Sequence, residues 1–332
     1  MKSVEEILKK KVLIVAEIGN NHEGNFQIAK KLINEAKKCG VDAVKFQTFI
    51  PEHFIYKKDK KRIKQLNKFK LTFAQYEKLS KYAKKKKLIF FSTPFDLKSA
   101  FFLNKIQSVF KISSSDNNFY PLLKTVAKFN KTMIISTGLL NFSEILHTKK
   151  YIENIWKTNT KNKKKLIFLH CVSSYPVEVS EANLLSIPYL KKKLTNNIVG
   201  YSDHSIGIDA CIGSVFLGAK VIEKHFTLSN NFSKFRDHKH SLNPKNMKLL
   251  VTKIRLAEKY MGRFEKKISK NENRNLKFLR RSIAVNKDIS KGNKLCYSDL
   301  IWVRNNYGLK PGSEKKVLKK YNRNLIKGDL VF

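Results

Sequence analysis

NIVGYSDHSIGIDACIGSVFLGAKVIEKHFT, residues 197–227, holds one full cycle of a repeating design. An apolar run from Ile198 ends in Ser202-Asp203-His204. A helical segment follows, and a second apolar run, Val221-Ile222, ends in Glu223-Lys224-His225. The spacing is that of a single βα unit. If the two runs are neighbouring parallel strands, both histidines emerge at one end of the sheet, where βα enzymes keep their chemistry. Such a pair can hold a divalent metal.

The same design recurs through the first 230 residues. Apolar or β-branched runs that close in polar residues begin at Val12, Val41, Leu88, Val109, Thr132, Leu166, Asn197 and Ala219. These continuous runs suit strands buried on both faces, as in a parallel sheet, better than the alternation of a one-sided antiparallel sheet. Between the first two, Ile28, Leu32, Ile33 and Ala36 form a helical stripe that stops at Gly40, a C-terminal cap. Eight strand-helix repeats in about 250 residues predict an α/β fold, a (β/α)8 TIM barrel over residues 1–262. No GxGxxG follows the first strand, which counts against a doubly wound open sheet. The charged stretch 263–276 reads as a linker. From 277 to 332, short β-prone pieces separated by KD and KG turns predict a small β-rich domain, well placed to cover a barrel mouth.

Of the 332 residues, 68 are Lys or Arg and 26 are Asp or Glu, a net charge of +42. Such a charge invites a nucleic-acid or membrane reading, but its distribution opposes one. Lysines are spread along the chain, with short runs at 84–87, 163–165 and 191–193 and neither a basic tail nor an aromatic-interleaved stripe. Heavy use of Lys, Asn and Ile fits a nucleotide bias acting on replaceable surface positions. A general attraction for anionic substrates remains as a by-product. The N-terminus lacks the apolar core of a signal peptide and no run approaches a transmembrane span, so the expected location is the cytoplasm, without membrane or nucleic-acid partners. Cys39, Cys171, Cys211 and Cys296 stand singly, which predicts neither a zinc knuckle nor a disulfide framework.

At the strand ends the polar residues form a coherent set. It contains Glu17, Lys45, Gln47, Thr93, Lys111, Ser114, Asp116, His170, Ser173, Tyr175, Ser202, His204, Glu223 and His225. Lys45 inside VDAVKFQTF and Lys111 inside VFKIS stand where a barrel strand would bury them, and an unpaired buried ammonium is costly. Two cations with hydroxyls and amides at one mouth make an anion pocket suited to phosphate or carboxylate. The bland alternative pairs each lysine with a structural carboxylate such as Asp42. His170 lies earlier in its strand and reads as a core histidine. His204 and His225 suit Mn²⁺, Mg²⁺ or a similar ion, Co²⁺ included, in an open site. Asp237 to His240 (DHKH) is either a second polar cluster at the mouth or a solvated loop.

Taken in order, AEIGNNHEG (16–24), VKFQTF (44–49), STPFD (92–96), KISSSD (111–116), STG (136–138), HCVSSYP (170–176), GYSDHSIG (200–207) and IEKHFT (222–227) resemble the sialic acid synthase family. RRSIAVNKDISKG (280–292) resembles its C-terminal antifreeze-like (SAF) domain. The resemblance implies a cytoplasmic transferase that condenses phosphoenolpyruvate with an N-acetylated amino sugar, N-acetylmannosamine or a 2,4-diacetamido-trideoxyhexose, to a nine-carbon 2-keto acid, releasing phosphate. It places a divalent metal on His204 and His225. Lys45, Lys111, Ser114, Ser173 and Ser202 match the phosphoenolpyruvate pocket. Glu17 and Glu223 match acidic residues at the reacting centre, and Gln47, Thr93, Tyr175 and Asp237 match sugar-side positions.

Two departures from the family pattern stand out. Asp116 replaces a glutamate found in some members, as in members acting on bacterial sialic acid analogues. In WVRNNYGLKPG (302–312) an alignment on Tyr307-Gly308 gives Arg304 the N-acetyl contact, whereas one on Trp302 gives the position to Asn305. The family further implies a domain-swapped homodimer whose cap reaches the partner's site. Three competing readings are another phosphoenolpyruvate-condensing or aldolase-type TIM-barrel enzyme, for instance one acting on a phosphorylated sugar, a non-enzymatic polyanion binder, and an inactive relative serving assembly. The first lacks a second arginine cluster at the strand ends, and the other two leave the buried lysines and histidines without a purpose.

Overall fold

A computed structural model describes residues 3–159 and 165–332, so most of the lysine run at 163–165 lies outside the described residues. The chain divides into two compact units, Met1–Gly262 and Arg263–Phe332.

In the first unit the eight apolar runs form β1 (Leu13–Gly19), β2 (Ala43–Thr48), β3 (Ile89–Pro94), β4 (Val109–Ile112), β5 (Thr132–Ser136), β6 (Leu166–Cys171), β7 (Ile198–Asp203) and β8 (Val221–His225). They make one parallel sheet in the order β3-β2-β1-β8-β7-β6-β5-β4. The end strands β3 and β4 are neighbours in space, so the sheet comes round nearly to a closed barrel. The intervening helices cover its outside. The first of them, Phe26–Cys39, shows why the boundaries fall where they do. Asn25 accepts hydrogen bonds from the backbone of Gln27 and Ile28 at its start, and Gly40, at φ +85°, ends it in the left-handed conformation that glycine adopts without strain.

Because side chains alternate along a strand, every second residue faces the barrel axis. The lower inward layers are apolar: Leu13, Val15, Ala43, Ile89, Phe91, Val109, Ile134, Ile167, Leu169 and Val221. Val4 and Ile7 of the short helix Val4–Leu8 join this cluster and plug the N-terminal end. One step further along the strands the inward residues turn polar, with Glu17, Lys45, Thr93, Lys111, Ser136, Ser202, Glu223 and His225 all buried. The barrel is therefore sealed below its polar layer, and that layer opens toward the C-terminal ends of the strands.

The second unit contains an antiparallel pair, β9 (Arg281–Val285) with β10 (Leu300–Arg304), around a small core that includes Ile283, Val285, Leu295, Leu300, Val317 and Leu325. Part of the stretch 263–276, expected as a linker, is helical. Lys270–Leu279 is a helix, started by a reciprocal capping box between Ser269 and Glu272. Its charged composition hid it, because no residue of the helix is buried and its apolar residues, Leu276, Phe278 and Leu279, fall only in the last turn. Among the described residues no helix is long and apolar enough to cross a membrane, and all four cysteines are free thiols.

Candidate active site

The polar layer is a network of paired charges. Glu17 and Lys45 are register partners on β1 and β2, and Lys45 Nζ lies 2.8 Å from Glu17 Oε2. Lys45 also donates to Thr93 Oγ1 at 3.1 Å. Across the barrel, Lys111 Nζ lies 3.4 Å from Glu223 Oε1 and donates to Ser136 Oγ at 2.7 Å. Ser202, the register partner of Glu223, donates to the same Glu223 oxygen at 2.9 Å. Gln47 reaches Glu17 Oε1 at 3.5 Å and accepts from Asn20 at 2.7 Å. The lysines thus pair with carboxylates of the mouth itself. Asp42, the alternative partner, is occupied elsewhere by Lys11 and Arg255.

Two cations facing two carboxylates make a site near neutrality rather than a simple anion pocket. Burial pushes the Glu17 carboxyl up to about 7, against the pull of Lys45 and with the help of Glu223. Burial also opposes charge on Glu223, but Lys111 and Lys45 outweigh it and hold that carboxyl below its ordinary value. Lys111 is brought below the ordinary ammonium range by burial, which Glu223 only partly offsets. For Lys45 the balance reverses: burial is outweighed by Glu17 and Glu223, so its ammonium is held up. One carboxyl is thereby poised to exchange a proton near neutrality beside another that stays ionised.

Around this network stand hydroxyls. Gly138 follows β5, and a Cβ there would come within 2.4 Å of Ser173 Oγ and 2.7 Å of Ser114 Oγ. The missing side chain is what lets these two serines converge. Ser114 also donates to Cys171 Sγ at 3.6 Å.

The histidines form a cluster of three rather than a pair. His204 and His225 have ring centroids 5.4 Å apart, and His240 stands 4.7 Å from His225 and 6.1 Å from His204. Tyr175 lies against His204 at 4.2 Å and His240 at 5.5 Å, with the Arg236 guanidinium over its ring. His204 donates from Nδ1 to the Val172 carbonyl at 2.8 Å, which leaves the Nε2 lone pair free for a metal. Burial drives His225 well below the usual imidazole range, helped by His240, so it too is a neutral donor. Among the described residues no three His, Cys, Asp or Glu side chains are grouped to hold a metal by themselves. Two imidazoles with remaining positions open to water or substrate is the arrangement this donor set fits.

Behind the histidines, on the outer face of the same strands, Asp203 and Lys224 form a fully buried ion pair at 2.6 Å. Asp203 accepts from Tyr201 OH at 3.0 Å and from the Ser205 backbone at 2.8 Å, and Lys224 donates to the Ser205 carbonyl. His204 is bracketed on both sides by groups tied to this pair.

Of the residues read from sequence, Glu17, Lys45, Gln47, Thr93, Lys111, Ser202 and Glu223 share one network, and Ser114 and Ser173 adjoin it. Tyr175, His204 and His225 stand beside them. Asp237 is buried on the short helix Asp237–His240, which makes the DHKH segment part of the mouth rather than a solvated loop. His170 is a core histidine, its Nε2 against the Ala182 carbonyl at 2.9 Å. Asp116 makes its hydrogen bonds within its own loop, Ser113 and Ser115 donating to its carboxylate; burial raises that carboxyl, and the Lys111 ammonium is near enough to pull it back. Arg304 is an exposed residue at the end of β10 in the second unit. Sequence reasoning missed Ser136 and His240. Ser136 was visible only as the serine of STG, and His240 only as one of two histidines in a short loop.

Neutral buried histidines make acid sensitivity predictable. His22 and His240 are held by burial at about 3, and His225 well below 6.5. Burial lowers His170 too, so below pH 6.5 the unfolded chain binds four protons that the native state resists, and stability falls as pH falls. Two groups act in the opposite sense: Glu17, raised in the fold, and His204, where burial is outweighed by Cys171 and the Val172 carbonyl. The net of two groups gives at most about 2.7 kcal/mol per pH unit between roughly pH 6.5 and 5. Urea midpoints in chelator-treated protein measure this slope, and a flat profile contradicts the neutral imidazoles.

A barrel mouth with paired ammonium and carboxylate groups, clustered hydroxyls and a histidine cluster has the make-up of an enzyme active site. Comparison narrows this. The chain is 41% identical over 297 residues to N,N'-diacetyllegionaminic acid synthase of Campylobacter jejuni, covering 85% of this chain and 87% of that one. It is 34% identical to the pseudaminic acid synthase of the same species, over 96% of this chain and 95% of that one. The crystal structure of N-acetylneuraminic acid synthetase from Leptospira borgpetersenii superposes with a TM-score of 0.74 at 31% identity, covering 80% and 90%. The NeuB family model matches residues 32–266, and the chain belongs to the NeuB family. It is an enzyme of the transferase class in carbohydrate biosynthesis.

Proposed function

We propose that this enzyme condenses phosphoenolpyruvate with a 2,4-diacetamido-trideoxyhexose, giving a nine-carbon 2-keto acid of the legionaminic type and phosphate. The observation that carries the reading is the mouth itself: two buried ammonium groups beside two carboxylates, with Ser173 Oγ and Glu223 Oε2 buried and lacking hydrogen-bond partners. Groups left unpaired in a buried site are what a bound ligand satisfies. The choice of acceptor follows the 41% relative, and N-acetylmannosamine is the alternative that the same assay tests.

Lys45 and Lys111 bind the phosphate and carboxylate, with Ser114, Ser136, Ser173 and Ser202 as hydroxyl donors. C3 of phosphoenolpyruvate attacks the aldehyde carbon of the sugar, whose oxygen takes up the proton that Glu17, raised to about 7, gives up. Positive charge then develops at C2, where Glu17 and Glu223 stabilise it. Water adds at C2 and gives a proton to Glu17, whose raised pKa suits that task. The C2–O bond to phosphate then breaks as the new C2 hydroxyl gives its proton to the departing phosphate, leaving the ketone. His204 and His225 would hold a divalent cation, Mn²⁺ or Mg²⁺, which when bound would supply Lewis-acid polarisation of the aldehyde. Tyr175, Gln47 and Asp237 line the acceptor side. The second unit is read as a SAF-like cap, with Arg304 as its candidate sugar contact in a swapped homodimer.

Phosphate release by purified protein with Mn²⁺, phosphoenolpyruvate and a panel of acceptors tests the assignment. Release with the diacetamido sugar, abolished by chelation, is expected; silence with every acceptor refutes it. Gly138→Ala checks the serine pocket separately. The new methyl displaces Ser114 and Ser173, so the KM for phosphoenolpyruvate should rise about tenfold, equivalent to about 1.4 kcal/mol of binding, while the KM for the sugar stays within twofold. Equal changes in both constants would instead mean a general distortion.

A further inference from the structure

A ligating imidazole works best when its second nitrogen is held, because that bond fixes both tautomer and ring orientation. His204 meets the condition through the Val172 carbonyl. His225 does not: its Nδ1 is buried and has no hydrogen-bond partner. His240 Nε2 is likewise buried and unpartnered, and its ring is the histidine nearest to His225, 4.7 Å away at 70°. Two neighbouring orphaned nitrogens are costly apart, at about 1–3 kcal/mol each, and complementary together.

The two nitrogens are not bonded to each other as the rings stand; we propose that a small turn of the rings makes His240 the outer partner of His225, accepting at Nε2 the proton that His225 carries on Nδ1. The assignment is chemically closed. His225 in its Nδ1–H tautomer turns the Nε2 lone pair toward the metal position, and His240 in its own Nδ1–H tautomer offers Nε2 as acceptor. No proton has to be gained or lost. His240 is fitted to this by its place at the end of the short helix Asp237–His240, with 3% of its surface exposed. It acts on the metal through His225 and is a positioning residue, an inference that rests on the metal role given to His204 and His225 above.

The test uses Mn²⁺ alone, so its outcome does not depend on which sugar the enzyme accepts. In His240→Leu, which keeps bulk and removes the acceptor, Mn²⁺ affinity followed by the EPR signal of the free ion should fall about 10- to 100-fold. His240→Gln, which returns an oxygen near the Nε2 position, should recover most of it. At saturating Mn²⁺ the KM for phosphoenolpyruvate should be unchanged. Nitrogen-15 spectra of the metal-free wild-type protein should show His225 as the Nδ1–H tautomer, and this measurement carries the test if the leucine variant does not fold. Unchanged Mn²⁺ affinity in His240→Leu overturns the proposal, as does an Nε2–H tautomer at His225. A rise in sugar KM alone reassigns His240 to the acceptor, and a change of coordination number in the Co²⁺ absorption spectrum makes it a direct ligand. Failure of the wild-type protein to form product with any sugar refutes the proposed reaction while leaving these metal measurements to judge His240.

Discussion

Replacing Lys111 with methionine is expected to lower kcat/KM for phosphoenolpyruvate by about 10³-fold, some 4 kcal/mol of transition-state stabilisation. Lys111 is buried and has three partners: Glu223 at 3.4 Å, Ser136 at 2.7 Å and its neighbour's carbonyl at 3.3 Å. In the proposed reaction its charge falls on a substrate with phosphate and carboxylate groups, inside a site screened from water. The substitution also strands Glu223, and breaking a buried pair from one side costs roughly 3–5 kcal/mol of stability. The two effects separate in the double variant Lys111→Met/Glu223→Gln. With no charge left unpaired, stability measured by urea unfolding should return to within about 1–2 kcal/mol of the wild type, while activity stays low. If activity returns as well, Lys111 served only as a counter-ion.

The second large effect is expected from His204→Ala combined with His225→Ala. Removing both imidazoles should abolish Mn²⁺ binding and reduce phosphate release by roughly 10³-fold or more at any Mn²⁺ concentration. The fold should survive, because the apolar layers beneath the site, from Leu13 to Val221, do not involve either ring. Asp203 and Lys224 remain paired behind them and keep the ends of β7 and β8 in register. Near-wild-type activity in the double variant would remove the metal from the mechanism.

The barrel was legible because its strands are continuous apolar runs, and a parallel sheet demands such runs whatever the details of packing. Lys45 and Lys111 stood out for the same reason, as charges inside buried elements. Their partners did not. Glu17 and Lys45 meet through the register of β1 on β2, and Lys111 reaches Glu223 across the barrel; neither relation has a signature in spacing along the chain. The near-neutral balance of the site was therefore hidden behind the expectation of an anion pocket. His240 escaped because DHKH has no periodicity that tells a buried face from a wet one. The helix Lys270–Leu279 escaped because its start is written in a capping box and its apolar residues are confined to its last turn.

The sealed floor of the barrel sets an order of arrival. Glu17, Lys45 and Lys111 occupy inward positions within the strands, directly above the apolar plug, whereas Tyr175, His204 and Asp237 follow strand ends further out. A vessel closed at one end fills from the bottom. In the proposed reaction phosphoenolpyruvate would then enter before the sugar, and phosphate would be the last product out. Phosphate should accordingly compete with phosphoenolpyruvate, and an unreactive sugar analogue should inhibit uncompetitively against it. The plug to which Val4 and Ile7 belong would in that way set the kinetic sequence of an enzyme whose chemistry lies at the opposite end.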